Sequence, residues 1–324
     1  MFFSLCPLCL CEKIFYTSHT PTGKAERKTE MKKTILTIAL VLALAILAAC
    51  TRETAPAGTP ETTEPFEGTI MSIGPAITEI LIDLGLGSRI IAADDFSSFV
   101  PGVPSDLVFV LDMWTPDIEA LVAVAPDILI ITEMLNLESD TLDLLASLGT
   151  RVISIPQFNR VADIVDNIHF IAGEMGVLAA GEVLTQTMLS EIEAARAIAE
   201  TITERRTVYF ELNPLPMLFT FGADTFLHEI MEIVGAENIF DDAGDWVSIS
   251  DEQVLARNPD VIITNVGWMD NAIEELKSRP GWDSLDAVAN NRVYLVCENT
   301  TSRDNHRIVQ AMREIARAVY PEYF

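Results

Sequence analysis

Short apolar runs alternate with stretches of helical periodicity along the chain from residue 69 onward. Four runs predict a first set of buried strands, at residues 69–73, 89–93, 128–132 and 151–155. Three more predict a second set, at residues 207–211, 261–265 and 292–296. Between them, apolar residues recur every three or four positions and predict helices at residues 75–84, 118–124, 142–148, 225–234, 251–256 and 305–319. Such alternation is typical of an α/β fold with mainly parallel sheets.

One stretch departs from this alternation. Residues 161–202 show helical periodicity throughout, with a predicted interruption at Gly173-Glu174-Met175-Gly176. Its heptad pattern is too short and irregular for a coiled coil. Because the stretch separates the two sets of strands, it predicts an N-terminal lobe at residues 69–158, a bridging helix at 159–203 and a C-terminal lobe at 204–324.

The two predicted lobes contain the same short unit. The sequence is APDILIIT at residues 125–132 and NPDVIITN at residues 258–265. Each follows a short predicted helix with a glutamate seven residues before the proline, Glu119 in the first unit and Glu252 in the second. The repeat predicts one helix–Pro-Asp–buried strand module in each lobe.

The residues before the first lobe predict targeting rather than folding. Lys32 and Lys33 precede a 16-residue apolar run that ends in Leu-Ala-Ala followed by Cys50. Residues 31–49 therefore predict a bacterial lipoprotein signal peptide with lipidation at Cys50; the alternative is an ordinary signal peptide that contains a cysteine. We therefore expect translation to start naturally at Met31, with residues 1–30 the result of a mis-assigned upstream start. Residues 50–68, rich in threonine, proline and glutamate, predict a disordered tether.

Charge and cysteine content narrow the function classes. The chain has 21 basic and 48 acidic residues, of which six and three lie in residues 1–49, so the remainder carries a net charge of −30. Nucleic acids and anionic lipid surfaces both require a basic footprint, which this excess of acid argues against. After Cys50 the one remaining cysteine is Cys297, so no disulfide forms within the mature chain.

Motifs for catalysis and for metal binding are missing from the sequence. It has no glycine-rich phosphate loop, no nucleophile elbow and no Cys/His metal spacing, which argues against an enzyme. The mature chain has three histidines, His169, His228 and His306, too dispersed to predict a zinc or manganese site. No cofactor is expected.

Six segments, in order, resemble one known family. They are SIGPAITEILIDLGLG, PDIEALVAVAPDILI, GADTFLHEIMEIVGAENIF, SDEQVLARNPDVIIT, RPGWDSLDAVANNRVYLV and HRIVQAMREIARAVYP. Together they resemble the substrate-binding proteins of ABC importers for vitamin B12, ferric siderophores and haem, the class III periplasmic binding proteins. The resemblance implies two α/β lobes joined by a long backbone helix, with the ligand cleft between the lobes.

The resemblance also implies which residues contact the ligand. It places them in loops of both lobes, and this chain has mostly large side chains there: Phe96, Met113, Trp114, Phe219, Trp246, Trp268, Arg303 and His306. Broad aromatic faces suit a flat macrocycle or a chelate. For His306, an axial role toward a metal competes with that of a surface or helix-cap histidine. The chain departs from the family where many members have Gly-Gly-Phe/Trp, since it has Val-Leu-Asp-Met-Trp at residues 110–114.

The family resemblance further implies the partners. Glu119 and Glu252 match the positions that meet permease arginines, one on each lobe. Five aspartates are expected near the rim: Asp94, Asp95, Asp112, Asp224 and Asp245. Since Arg303 is the one firmly placed base there, we expect a neutral or cationic ligand such as a cobamide or a ferric hydroxamate. A haem receptor and a surface sensor or adhesin of the same fold are the alternatives. The expected protein is an extracytoplasmic, lipid-anchored monomer that serves an ABC permease with its cytoplasmic ATPase.

Overall fold

The computed structural model describes residues 64–133, 135–156 and 159–324. These residues belong to one compact unit, Thr63–Phe324. The predicted signal peptide, the upstream residues and Cys50 lie outside the described residues, as does most of the predicted tether.

The N-terminal lobe is built on a parallel sheet of five strands. They are β1 (Ile70–Ser72), β2 (Ile90–Asp94), β3 (Phe109–Leu111), β4 (Ile128–Thr132) and β5 (Arg151–Ile155). Their order in the sheet is β3-β2-β1-β4-β5, with every pair parallel. Four of these strands coincide with predicted ones, whereas the edge strand β3 was not predicted.

The C-terminal lobe has a parallel sheet and a separate antiparallel ribbon. The sheet contains β6 (Thr207–Glu211), β8 (Glu237–Asn238), β10 (Val261–Thr264) and β11 (Val293–Leu295), in the order β11-β10-β6-β8. The ribbon pairs β7 (Phe219–Phe221) with β9 (Trp246–Ser248). Neither the ribbon nor β8 was predicted. The α/β class with two mainly parallel sheets is confirmed.

Helices connect the strands and cover both sheets. The N-terminal lobe has α1 (Pro75–Asp83), α2 (Ile118–Val124) and α3 (Ser139–Ser147). Between the lobes lie α4 (Val161–Glu174) and α5 (Leu178–Ala199). The C-terminal lobe has α6 (Phe226–Ile233), α7 (Asp251–Arg257), α8 (Ala272–Ser278), α9 (Asp286–Ala289), α10 (Glu298–Thr301) and α11 (Ile308–Val319). Three short 3-10 turns lie at Gly87–Arg89, Ser97–Phe99 and Trp282–Ser284.

The bridge between the lobes consists of two packed helices. Helix α4 begins beside the C-terminal lobe, where the Val161 amide donates to the Glu229 carboxylate of α6 at 2.8 Å. It ends beside the N-terminal lobe, where Glu174 pairs with Arg151 of β5 at 2.7 Å. The chain then turns at Gly176, whose φ of 68° favours glycine, and α5 runs back toward the C-terminal lobe. The interruption predicted at Gly173–Gly176 thus produces a helical hairpin.

The repeated sequence unit folds identically in both lobes. Helices α2 and α7 each have seven residues, and each ends at a residue in the left-handed conformation. These residues are Ala125, with φ 43°, and Asn258, with φ 42°. A Pro-Asp pair then leads directly into the buried strands β4 and β10.

The aspartate of each Pro-Asp pair ties its module to the start of the neighbouring strand, β1 or β6. Asp127 accepts from the Thr69 amide at 2.7 Å and from its hydroxyl at 2.8 Å. Asp260 accepts from the same two groups of Thr207, at 2.9 and 2.8 Å. In both lobes the threonine hydroxyl also accepts from the aspartate amide at 3.0 Å. The amide and hydroxyl of Thr69 hold the pKa of Asp127 below its ordinary value.

Within the described residues, the apolar side chains form three cores. The largest lies on the inner faces of both sheets and is continuous through the bridging helices, with Ile77, Ile168, Met188, Phe210 and Ile315 among its buried members. A second covers the outer face of the C-terminal sheet, and a third the outer face of the N-terminal sheet. Because one core crosses the bridge, the helical hairpin is part of the packing of both lobes.

Candidate functional site

A cavity of about 680 Å³ lies between the two lobes. On the N-terminal lobe, the cavity is lined by the start of α1 and by residues at the ends of β4 and β5, namely Ala76, Ile77, Thr132, Glu133, Ile155 and Pro156. The C-terminal lobe contributes Leu212, Phe219, Phe226, Trp246, Asn265, Glu298, Thr301, Ser302 and Asp304. The volume is within the range of about 300–1,000 Å³ that small-molecule sites occupy.

The topology of both sheets explains why the cavity lies here. Thr132 ends β4, and Asn265 directly follows β10. In open parallel sheets, the loops at the carboxyl ends of the strands form the ligand crevice. Here two such edges face each other across the cavity, in the cleft between the lobes that the resemblance implied.

One wall of the cavity is aromatic. Phe219 and Trp246 belong to the β7–β9 ribbon, and Phe226 begins α6. The Trp246 ring meets Phe221 edge-on at a centroid distance of 6.1 Å and Phe226 at 5.9 Å. The resemblance implied that Phe219 and Trp246 lie in loops, whereas they belong to paired strands of the antiparallel ribbon. A Trp held between two other rings presents a rigid surface for stacking.

The charged groups of the cavity are acidic. Among the described lining residues, Glu133, Glu298 and Asp304 carry carboxylates, and none is lysine, arginine or histidine. Neutral polar atoms come from Thr132, Asn265, Thr301 and Ser302. An anionic ligand here would lie beside the exposed carboxylates of Glu133 and Glu298, with no base among the described lining residues to pair with it.

The predicted ligand residues are not all brought together. Phe219 and Trp246 line the cavity. Phe96 and Trp114 form an edge-on pair at 6.3 Å outside it, with 48% and 81% of their surfaces exposed. Trp268, beyond the end of β10, is also exposed. The partly buried Met113 packs against the outer core of the N-terminal lobe.

Arg303 and His306 lie beside the cavity lining and pair with the opposite lobe. The Arg303 guanidinium donates to the Glu79 carboxylate of α1. His306 Nε2 lies 2.6 Å from Asp83 Oδ2, and Arg307 donates to the same oxygen at 2.8 Å.

The surroundings of His306 favour its neutral form. Burial lowers the pKa of His306 below its ordinary value of 6.5, although Asp83 opposes the shift. Its Nδ1 is buried without a hydrogen-bond partner. A neutral ring with its proton on Nε2 donates to Asp83 and leaves Nδ1 as an unpaired acceptor. Protonation would instead bury an unpaired N–H.

A buried polar cluster supports the N-terminal wall. Asp94 accepts from the Gly74 amide at 2.7 Å and from the Ser97 amide at 2.9 Å. Gly74 has a φ of 112°, and a Cβ there would lie 2.6 Å from Cγ2 of Thr132, a cavity residue. The expected position of Asp94 at the rim is wrong: its side chain is fully buried because it caps the turn into α1.

A buried ion pair supports the C-terminal wall. Arg279, after α8, donates to both carboxylate oxygens of Glu211 at 2.6 and 3.0 Å, and to Glu275 at 2.6 Å. Its guanidinium carbon lies 4.6 Å from the centre of the Trp282 ring. Burial alone would lower the pKa of Arg279, but the bonds to Glu211 and Glu275 raise it above its ordinary value. Glu211 ends β6, directly before the cavity residue Leu212.

The two repeated glutamates have matching environments. Glu119 lies in the first turn of α2 and Glu252 in the first turn of α7, and both are exposed. Asp117 caps α2 and Ser250 caps α7. The Ser250 hydroxyl and neighbouring backbone hydrogen bonds hold the pKa of Glu252 below its ordinary value.

The described part of the chain contains neither a metal-binding cluster nor a membrane-spanning helix. Within residues 64–133, 135–156 and 159–324, no group of three or more His, Cys, Asp or Glu side chains is arranged to hold a metal ion. No helix in the same ranges has the length and hydropathy needed to cross a bilayer.

Sequence reasoning missed several lining residues. Thr132, Leu212 and Asn265 directly end or follow predicted strands. Because ligands bind at the carboxyl ends of parallel strands, residues of any size at these ends were candidates for the lining. Glu298 and Thr301 belong to α10, a four-residue helix without a usable periodic signal. Thr132, Leu212 and Asn265 were not predicted because the residues expected at the site were mostly large and aromatic.

Comparisons with known proteins agree with this architecture. Residues 70–300 match the family model described as periplasmic binding protein. The uncharacterized ABC transporter substrate-binding lipoprotein YvrC of Bacillus subtilis is 28% identical over 258 residues, covering 79% of this chain and 81% of that protein. A vitamin B12-binding protein of Salmonella choleraesuis is 26% identical over 253 residues, covering 77% and 89%.

A solved structure gives the same result for the fold. It comes from Staphylococcus epidermidis, is described as a possible iron-binding (periplasmic solute-binding) protein, and is 26% identical with a TM-score of 0.69. The match covers 78% of this chain and 98% of that chain. The resemblance drawn from the sequence is therefore confirmed, and the chain belongs to the periplasmic binding protein family, a family of binding proteins rather than enzymes.

Proposed function

We propose that the protein is the extracytoplasmic substrate-binding protein of an ABC importer and captures an uncharged or cationic metal chelate in the cavity between its lobes. The observation that carries this proposal is the composition of the cavity. It combines an aromatic wall with the exposed carboxylates of Glu133 and Glu298 and has no base among its described lining residues. The relative named as an ABC transporter substrate-binding lipoprotein supports the transport role.

The aromatic wall supports a ligand with a broad flat face. Phe219 and Trp246 stand on a paired ribbon, and Phe226 packs against the Trp246 ring. Rings held in this way lose little conformational entropy when a ligand stacks on them. A corrin or a chelated metal centre offers such a face.

A cobamide is the first candidate ligand, and a ferric hydroxamate is the second. The vitamin B12-binding relative matches over 89% of its own length, which supports the cobamide. The relative described as a possible iron-binding protein supports a ferric chelate. Haem and ferric catecholates carry anionic groups, and Arg303, the base expected to receive them, already pairs with Glu79. The acidic cavity therefore favours the first two ligands over haem.

The proposal includes docking to a permease and its ATPase through Glu119 and Glu252. The two glutamates occupy equivalent positions in two equivalent modules, one in each lobe. An exposed ion pair is worth about 0–1 kcal/mol, so the pair would set orientation and register rather than affinity.

Anchoring to the membrane through a lipid on Cys50 completes the proposal. The run that ends in Leu-Ala-Ala-Cys matches a lipoprotein signal, and the relative YvrC is named a lipoprotein. The acidic tether of residues 50–68 would keep the folded lobes near the membrane. Labelling cells with a clickable fatty acid tests this: the wild-type chain should be labelled and Cys50→Ser should not.

A thermal-shift panel tests the ligand. The purified protein is heated with cyanocobalamin, cobinamide, ferric hydroxamate, ferric catecholate or haemin in excess. A ligand at one hundred times its Kd adds about 2.7 kcal/mol of stability, which corresponds to a rise in Tm of about 5 °C or more for a chain of this size. A rise with cobalamin or hydroxamate supports the proposal, whereas a rise confined to haemin or catecholate contradicts the assigned ligand charge.

A further inference from the structure

A group of charged side chains joins the two lobes beside the cavity. On the N-terminal lobe, α1 contributes Glu79. On the C-terminal lobe, the segment after α10 contributes Arg303, Asn305 and Arg307. Arg303 donates to the Glu79 carboxylate, Asn305 Nδ2 donates to it at 2.5 Å, and Arg307 Nη1 lies 3.4 Å away. We name this group, together with the neighbouring pair of Asp83 and His306, the interlobe clamp.

The clamp is shielded from water at its centre. Glu79 is 4% exposed, and Asn305 is fully buried. Charged groups that are removed from solvent interact more strongly than exposed ones and are less screened by salt. Asn305 Nδ2 also donates to the backbone carbonyl of Ala76 at 3.3 Å, so the contact reaches the first turn of α1 as well.

Both sides of the clamp are continuous with walls of the cavity. Ala76, three residues before Glu79 on α1, lines the cavity. On the other lobe, Arg303 lies between the lining residues Ser302 and Asp304. Arg303 also donates to Asn299 of α10 at 2.8 Å, which ties that short helix to the same guanidinium. The clamp thus fixes one wall against the other.

We infer that Glu79 is a positioning residue for the ligand cavity, because its carboxylate holds Arg303 and Asn305 across the lobe boundary and so sets the spacing of the two walls before the ligand arrives. Glu79 does not contact the ligand space itself. The inference rests on the proposed function, since it assumes that this cavity is where the ligand binds. Loss of the clamp lets the lobes sample wider separations. The measured affinity is then the intrinsic affinity multiplied by the fraction of molecules that keep the competent spacing.

Glu79→Gln tests this inference in the full chain, because it removes the charge and keeps the side-chain size. The matched control is Glu191→Gln, which removes a carboxylate paired with Arg313 between α5 and α11, away from the clamp. Small-angle X-ray scattering of ligand-free protein should give a larger radius of gyration for Glu79→Gln and an unchanged one for the control. Titration calorimetry with cyanocobalamin should show about tenfold weaker binding by Glu79→Gln, which equals about 1.4 kcal/mol. Added cyanocobalamin should return the radius of gyration of Glu79→Gln to the wild-type value.

The outcomes separate this inference from the proposed function. Unchanged scattering of Glu79→Gln would overturn it, and so would an expanded protein with wild-type affinity, since wall spacing would then not matter. If cyanocobalamin fails to bind the wild type, the assigned cobamide is wrong and scattering alone decides whether the clamp sets the spacing. If Glu79→Gln does not fold, Arg303→Lys replaces it. That variant keeps the charge but cannot reach both Glu79 and Asn299, so it should expand the ligand-free protein, and a wild-type radius would count against the clamp.

Discussion

The buried ion pair behind the C-terminal wall gives a sharp prediction of stability. Glu211 and Arg279 each expose 2% of their side chains, and two hydrogen bonds join them. Glu275 pairs with the same guanidinium, but its side chain is 36% exposed. Glu211→Gln therefore removes a buried carboxylate partner of Arg279. Glu275→Gln removes a partly exposed partner of the same arginine.

The two variants should differ severalfold in cost. Removing one partner of a buried pair leaves an uncompensated charge and costs about 3–5 kcal/mol. Since Glu275 still pairs with Arg279 and glutamine still offers it one acceptor, we expect the lower end for Glu211→Gln, about 3 kcal/mol. Glu275→Gln should cost about 1 kcal/mol or less, as solvent-exposed pairs do. At about 2–4 °C per kcal/mol, the Tm should fall by about 6–12 °C in the first variant and by less than about 4 °C in the second.

Urea unfolding followed by circular dichroism measures this difference without any ligand. The midpoint should fall in proportion to the lost free energy of unfolding while the slope m stays constant, since the surface exposed on unfolding is unchanged. Equal costs for the two variants would refute the reasoning, because they would mean that burial of Glu211 does not govern the strength of its pairing. A cost below about 1 kcal/mol for Glu211→Gln would do the same.

Three further predictions concern binding, transport and pH. Trp246→Ala should weaken cyanocobalamin binding by about 2 kcal/mol, whereas Trp268→Ala, at an exposed position outside the cavity lining, should leave it unchanged in fluorescence titration; equal losses would contradict the assigned wall. Glu119→Arg combined with Glu252→Arg should abolish uptake by cells while purified protein keeps its affinity, and full uptake would refute docking at these positions. Because the pKa of His306 is lowered, its contribution to stability is present above pH 6.5 and is lost as pH falls through the folded-state pKa, so His306→Gln should flatten the wild-type decline in Tm below pH 6.5.

Local sequence signals predicted the repeated elements of this fold well. Helix α2 has the predicted bounds, and β4 and β5 coincide with their apolar runs. The interruption of the bridge was also predictable, because Gly176 adopts a left-handed conformation that favours glycine. In each case the physical cause is the order of residues within one turn or one strand.

Elements whose stability comes from a neighbour were missed. Strand β3 has three residues and lies at the edge of its sheet, and β8 has two. The β7–β9 ribbon pairs Phe221 with Trp246, which are 25 positions apart. No alternation of polar and apolar residues marks such short segments, since their pairing depends on strands already in place.

The candidate site divides in the same way. The sequence by itself determined the strand ends that border the cleft, the aromatic character of Phe219 and Trp246, the acidic balance of the chain and the matched positions of Glu119 and Glu252. Which aromatic residues meet in one wall was decided by the tertiary structure. So was the role of Arg303, whose partner Glu79 lies 224 positions away. Whether Arg303 is free to bind a ligand depends on the side chains beside it, and these are brought there only when the two lobes pack together.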